Sequence, residues 1–102
     1  MDKHMTLERN VKAAVKRVLK EMGAYQFWPV QTGMGAPTLD CLCCYRGRFF
    51  AIETKAPGKK PTPRQHQTIA AIHAAGGIIF LFDTTDRAKI QRDLEFYLWS
   101  GL

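Results

Sequence analysis

The chain has no long hydrophobic run: its longest unbroken apolar stretch, Ile78 to Phe82, is far short of the ~20 residues that cross a bilayer. No charged-then-apolar leader opens it, so neither a membrane span nor a secretory signal is expected. Met1 to Met5 are set aside as an expression scar ahead of a native start, leaving residues 6–102 as a single domain. Cysteine is scarce and clustered. Cys41, Cys43 and Cys44 are an odd number packed together, which makes no disulfide framework and points to a reducing compartment. A zinc site would need four ligands, and strand alternation sends Cys44 to the face opposite Cys41 and Cys43, so buried core thiols are expected. Internal repeats, low-complexity segments and interdomain linkers are all missing. A phosphate loop is missing too: Gly58-Lys59-Lys60 has Glu53 where the upstream glycine belongs, and Pro61 where Ser or Thr should follow.

Acidic residues are few, nine against fifteen Lys and Arg, which leaves a net charge of +6. That balance suits a polyanionic partner, although a merely soluble basic domain has the same signature. What is present is otherwise ordinary for one globular domain of 102 residues: 46% hydrophobic, 24% charged and 11% aromatic, which argues against disorder.

Leu7, Val11, Ala14, Val15, Val18, Leu19 and Met22 recur at helical spacing. Lys12, Lys16, Arg17 and Lys20 lie off that stripe as a solvated basic face; Thr6 is placed to cap the helix and Gly23 to end it. Tyr25 to Val30 is aromatic and β-branched, with Pro29 marking an edge or an early end. The Gly33-Met34-Gly35-Ala36-Pro37 loop follows. Leu39 to Tyr45 and Arg48 to Lys55 read as two strands around an Arg46-Gly47 turn. A basic Pro/Gly-rich loop then leads to Thr62-Pro63-Arg64-Gln65, where a capping Thr, a proline at the first helical position and a glutamine three residues after the cap begin a second helix. That helix runs through Ile69, Ile72 and Ala75 to Gly76-Gly77. Ile78 to Phe82 reads as a strand buried on both faces. Asp83-Thr84-Thr85 opens a last helix with Ile90, Leu94, Tyr97 and Leu98 inward. His66 and His73 are expected to cap or pack, and Trp28 and Trp99 to lie in the core or a subunit contact. The order α-β-β-β-α-β-α predicts one mixed sheet flanked by helices, with a right-handed crossover into the last strand.

A hairpin centred between Arg46 and Gly47 pairs Cys44 with Phe49, Leu42 with Ala51 and Asp40 with Glu53. Opposed residues hold their Cβ atoms about 4.5–5.5 Å apart on one face, and Lys55 shares the face of Glu53. Two carboxylates set side by side in a sheet repel, and a divalent cation removes the problem. Mg²⁺ takes one or two carboxylates, keeps several waters and completes its shell with substrate phosphate. A Glu-x-Lys on a strand is commonly a plain polar face. Here it is joined by an opposed Asp40, a Gly/Pro loop before that aspartate and a basic loop after Lys55, and the joint pattern carries the chemistry.

Gly35-Ala36-Pro37-Thr38-Leu39-Asp40 followed by Ile52-Glu53-Thr54-Lys55 resembles the PD-(D/E)xK nuclease superfamily, and the element order is similar to its restriction-endonuclease-like αβββαβ core. With Pro61-Thr62-Pro63-Arg64-Gln65 and the compact length, the chain resembles the virus-type replication-repair nuclease (VRR-NUC) domain in its stand-alone phage form. The likeness runs from about Leu7 to Phe82 and departs in one place: Thr38 and Leu39 separate Pro37 from Asp40. The resemblance implies a Mg²⁺- or Mn²⁺-dependent DNA endonuclease. Asp40, Glu53 and the Ile52 carbonyl would ligate metal, Lys55 would be the catalytic lysine, Gln65 would point into the site, and Glu8 would help bind metal. Glu8 has a second reading, stabilisation of a helix first turn, and Gln65 another, completion of the cap with Thr62. Lys59, Lys60 and Arg64 would track phosphates. Branched or flapped DNA, a homodimer and a host-cytoplasmic location are further expectations of the resemblance. Two other classes stay open: a nucleic-acid-binding module of the same fold without catalysis, and a structural partner subunit that binds no metal.

Overall fold

The computed structural model describes residues 7–31, 33 and 35–100. Its elements are α1 (Glu8–Met22), β1 (Tyr25–Phe27), β2 (Cys41–Tyr45), β3 (Arg48–Thr54), α2 (Pro63–Ala74), β4 (Ile78–Phe82) and α3 (Arg87–Ser100). They form one mixed sheet in the order β1-β2-β3-β4, with a C-terminal helix. This is the α-β-β-β-α-β-α order that the pattern predicts. β1, β2 and β3 are antiparallel neighbours, and β4 joins β3 in parallel.

The hairpin register is Cys41↔Ile52, Leu42↔Ala51, Cys43↔Phe50, Cys44↔Phe49 and Tyr45↔Arg48, the pairing expected of a centre between Arg46 and Gly47. Both turn residues have positive φ, 51° at Arg46 and 80° at Gly47, the backbone of a two-residue hairpin turn that matches the strand twist. Arg46 tolerates it while its guanidinium stacks over the rings of Trp99 and Tyr45.

Alternation along the strands sends Cys41, Cys43, Phe50, Ile52, Phe80 and Phe82 to one face. There they meet Val11, Ala14, Val15, Val18 and Leu19 of α1 and Ile90, Leu94 and Leu98 of α3. The Sγ atoms of Cys41 and Cys43 lie 3.3 Å apart inside this core as expected, whereas Cys44 sits half-buried on the other face, outside it. α2 packs against β4 outside this cluster and buries none of its residues fully.

Several local expectations are corrected. Leu7, with no side-chain cap, is the residue before α1, and Thr6 lies outside the described residues. β1 ends at Phe27, the early end that Pro29 marks, whereas β2 starts at Cys41 and β3 stops at Thr54, both shorter than the apolar pattern suggests. β4 is an edge strand rather than one covered on both sides: Phe80 and Phe82 are buried, but Leu81 is 49% exposed. A run of apolar residues records hydrophobicity without recording which strand comes last in the sheet. α3 begins after Asp86, whose carboxylate accepts from the Lys89 amide at 3.2 Å, and not at Asp83-Thr84-Thr85. Thr84 instead braces the Asp86 amide. Tyr97 is exposed and touches Phe80 only edge-on. His66 and His73 are solvent-exposed on α2, His73 in its last turn. Trp28 does pack on the core, whereas Trp99 is half-exposed beneath Arg46.

Candidate active site

β3 is an interior strand, paired on both sides, and its last residues are buried: Ile52, Glu53 and Thr54 are at most 1% exposed. Asp40 lies one residue before β2 and is 9% exposed. The hairpin therefore brings the two acids together, and they interlock through the main chain rather than standing as a plain cross-strand pair. The Asp40 amide donates to Glu53 Oε1 at 3.2 Å. Asp40 Oδ2 accepts from the Thr54 amide at 2.9 Å and from the Thr54 hydroxyl at 2.8 Å. Its Oδ1 is held more loosely, by Gln31 Nε2 at 3.4 Å and Lys12 Nζ at 3.9 Å.

The two carboxylates have unequal surroundings. Asp40 is well supplied with donors. Glu53 Oε2 is buried and has no hydrogen-bond partner among the described residues. An unpartnered buried carboxylate oxygen is costly, and burial, reinforced by the charge of Asp40, pushes the Glu53 carboxyl up to about 7; the Asp40 amide and the Lys55 ammonium pull the other way, and Glu8 adds a smaller push. An orphaned acidic oxygen beside a second carboxylate fits a divalent cation. Among the described residues no cluster of three or more His, Cys, Asp or Glu is placed to hold a metal ion. Two carboxylates suit an ion that retains water and takes substrate oxygen, as Mg²⁺ does, and do not suit a closed structural site.

The other expected residues fall in distinct places. Lys55 is half-buried just past β3, its amide donating to the Phe82 carbonyl at 2.9 Å, and its side chain forms no ion pair among the described residues. Ile52 puts its side chain in the core, so only its main chain could serve a ligand. Glu8, in the first turn of α1, is drawn to Lys12 at 3.5 Å rather than into a three-carboxylate cluster. Gln65 completes the capping box: its Oε1 accepts from the Thr62 amide at 2.9 Å while its own amide donates to Thr62 Oγ1 at 3.2 Å. It also lines a cleft of about 390 Å³ between the 30–38 segment and the start of α2, together with Arg64, Gln31 and Thr68. Arg64 is exposed and lines this cleft, whereas Lys59 and Lys60 are exposed in the loop before α2, where Gly58 supplies the positive φ of the turn.

Three contributors escaped the sequence reading. Thr54 sits between Glu53 and Lys55 and uses both amide and hydroxyl to fix Asp40. Gln31 reaches Asp40 from the glycine-rich loop. Lys12 lies off the apolar stripe yet turns toward the acids; its spacing of four from Glu8 is the one signal that could have flagged it.

The fold and site together define an α/β domain with a paired acidic centre at the end of an interior strand. No family model matches the chain. It is similar to a curated protein of Acyrthosiphon pisum secondary endosymbiont phage 1 named "Putative nuclease p44", at 39% identity over 44 residues. That segment spans 43% of this chain and 47% of the phage protein, less than half of either.

Proposed function

We propose that the chain is a nuclease that hydrolyses phosphodiester bonds in DNA with Mg²⁺ or Mn²⁺ held at Asp40 and Glu53. The observation that carries this reading is the buried, unpartnered Glu53 Oε2 beside a second carboxylate in a chain of net charge +6. Similarity to the phage protein named as a nuclease supports it. Asp40 and Glu53, with the Ile52 carbonyl, would hold the ion, and Glu8 would join from behind Lys12. When bound, the ion supplies Lewis-acid polarisation of the phosphate and a source of hydroxide at neutral pH.

The chain's own groups do the rest. Thr54 fixes Asp40 Oδ2, leaving Oδ1 as the more available oxygen. Lys55, with no carboxylate partner to neutralise it, orients the attacking water and offsets negative charge that builds on phosphorus. Arg64, Lys59 and Lys60 hold flanking phosphates and so contribute affinity rather than base choice. Gln65, with its carbonyl oxygen committed to the helix cap, shapes the cleft. A surface this small has little room for reading a long sequence, which favours branched or flapped DNA. A homodimer would present two such centres, as cutting both strands of a four-way junction requires. Among the described residues no helix is long and apolar enough to cross a membrane, and the host cytoplasm is the proposed location.

The test is cleavage of duplex, flap and four-way junction DNA with Mg²⁺, Mn²⁺ or EDTA. Cleavage with either metal and none with EDTA is expected. Salt-sensitive binding without cleavage of any substrate would instead favour a DNA-binding module of the same fold. Charge reversal in the basic loop before α2 gives a separate check. In Lys59→Glu/Lys60→Glu, affinity should fall about tenfold across unrelated sequences, and the salt dependence should weaken by roughly two counterions. Unchanged affinity across a salt titration would remove these lysines from the DNA path.

A further inference from the structure

Lys12 joins two acidic groups that come from separate elements. Its Nζ is 3.5 Å from Glu8 Oε2 on α1 and 3.9 Å from Asp40 Oδ1 before β2. Neither contact has the short distance of a strong charged hydrogen bond, and the lysine side chain is 36% exposed. Asp40 Oδ1 is also the oxygen that Thr54 leaves alone. Nearby, Glu53 Oε2 is buried without any partner, and both Asp40 and Glu8 act on Glu53 through their charges. One ammonium thus sits loosely between two carboxylates, and Glu53, beside one of them, has an oxygen unsatisfied.

We propose that Lys12 is a resident counter-ion that a divalent cation must displace, so that its ammonium competes with metal for Asp40 and Glu8. This rests on the metal-dependent reading above. A lysine is suited to the role because its charge is compact and its four-carbon stem can swing toward solvent without disturbing α1. Val11 and Val15, the neighbouring residues of the buried stripe, anchor the helix independently of it. Displacement of Lys12 also frees Glu8, which provides a route by which an acid outside the immediate pair reaches the ion. While Lys12 stays in place, it keeps Asp40 charge-balanced, which a buried carboxylate beside Glu53 requires.

Mn²⁺ titration by calorimetry at pH 8, without DNA, tests this on the wild type, Lys12→Met and Lys12→Arg. Removing the competing charge should tighten Mn²⁺ binding about fivefold in Lys12→Met, the scale of an exposed ion pair. Lys12→Arg, which keeps the charge, should stay within about twofold of wild type. On the wild type itself, acylation of Lys12 read by mass spectrometry should rise when Mn²⁺ is added, while Lys20 at the far end of α1 holds constant. Wild-type binding with equal or weaker binding by Lys12→Met, or a Lys12 acylation level indifferent to Mn²⁺, would overturn the competition and leave the nuclease reading intact. A wild type that takes up no Mn²⁺ would overturn both.

Discussion

Asp40→Asn should lower single-turnover DNA cleavage about a thousandfold or more while DNA affinity stays within about threefold. The substitution keeps the shape and one acceptor for Thr54, whose amide and hydroxyl both point at Oδ2. It removes the negative charge at Oδ1, the oxygen least committed to protein donors. Asp40→Ala is the harsher variant, since it strands two buried Thr54 donors at about 1–3 kcal/mol each. A fall in activity there mixes misfolding with chemistry, so the asparagine variant decides. Fluorescence anisotropy on the same DNA separates binding from turnover. Lys55→Ala should share the phenotype, because its ammonium acts on Glu53 through its charge and has no carboxylate partner among the described residues. Wild-type cleavage by Asp40→Asn would remove this centre from the reaction.

The second large effect is on stability. Burial and the charge of Asp40 raise the Glu53 carboxyl to about 7 from an ordinary value near 4.5. The folded chain therefore binds more protons than the unfolded one between those limits, and stability falls as pH rises through that window. In EDTA the melting temperature should be highest on the acid side of this transition, as far as Glu53 sets it, and lower at pH 8. Mg²⁺ or Mn²⁺ should restore it most strongly above pH 7, where the carboxylate is ionised and no proton has to leave. Glu53→Gln, which keeps the acceptor for the Asp40 amide, should be more stable than wild type at pH 8 in EDTA by about 2 kcal/mol, roughly 10 °C. Thermal melts of both proteins from pH 5 to 9 check the sign. A wild type whose stability climbs steadily from pH 5 to 8 without metal, in parallel with Glu53→Gln, would contradict a strained Glu53.

The parts of this site that were legible in the sequence are those set by local geometry. A two-residue turn fixes a hairpin register, and side chains alternate with a period of two, so the approach of Asp40 to Glu53 follows from residue numbers alone. The capping box at Thr62 and Gln65 is similarly local. Tertiary features were not readable. Lys12 has the look of a solvated face residue until α1 is laid beside Asp40. Leu81 belongs to an apolar run, and only the strand order reveals that it borders solvent. Thr54 gave no hint because a hydroxyl between a glutamate and a lysine has no spacing rule, and its role depends on where the Asp40 carboxylate turns. Glu8 had two readings in the sequence, metal or the first turn of α1, and the Lys12 beside it becomes visible only in the packed chain.

The Arg46-Gly47 bend stands at the opposite end of the hairpin from the acids, roughly 20 Å away at about 3.3 Å per residue. It nonetheless acts as their gauge. A single inserted amino acid there slips one strand against the other and turns Glu53 away from its mate, whereas the 30–38 connection can lengthen without touching that alignment. Added length ahead of Asp40 is therefore compatible with an intact centre, and added length at the far bend is not.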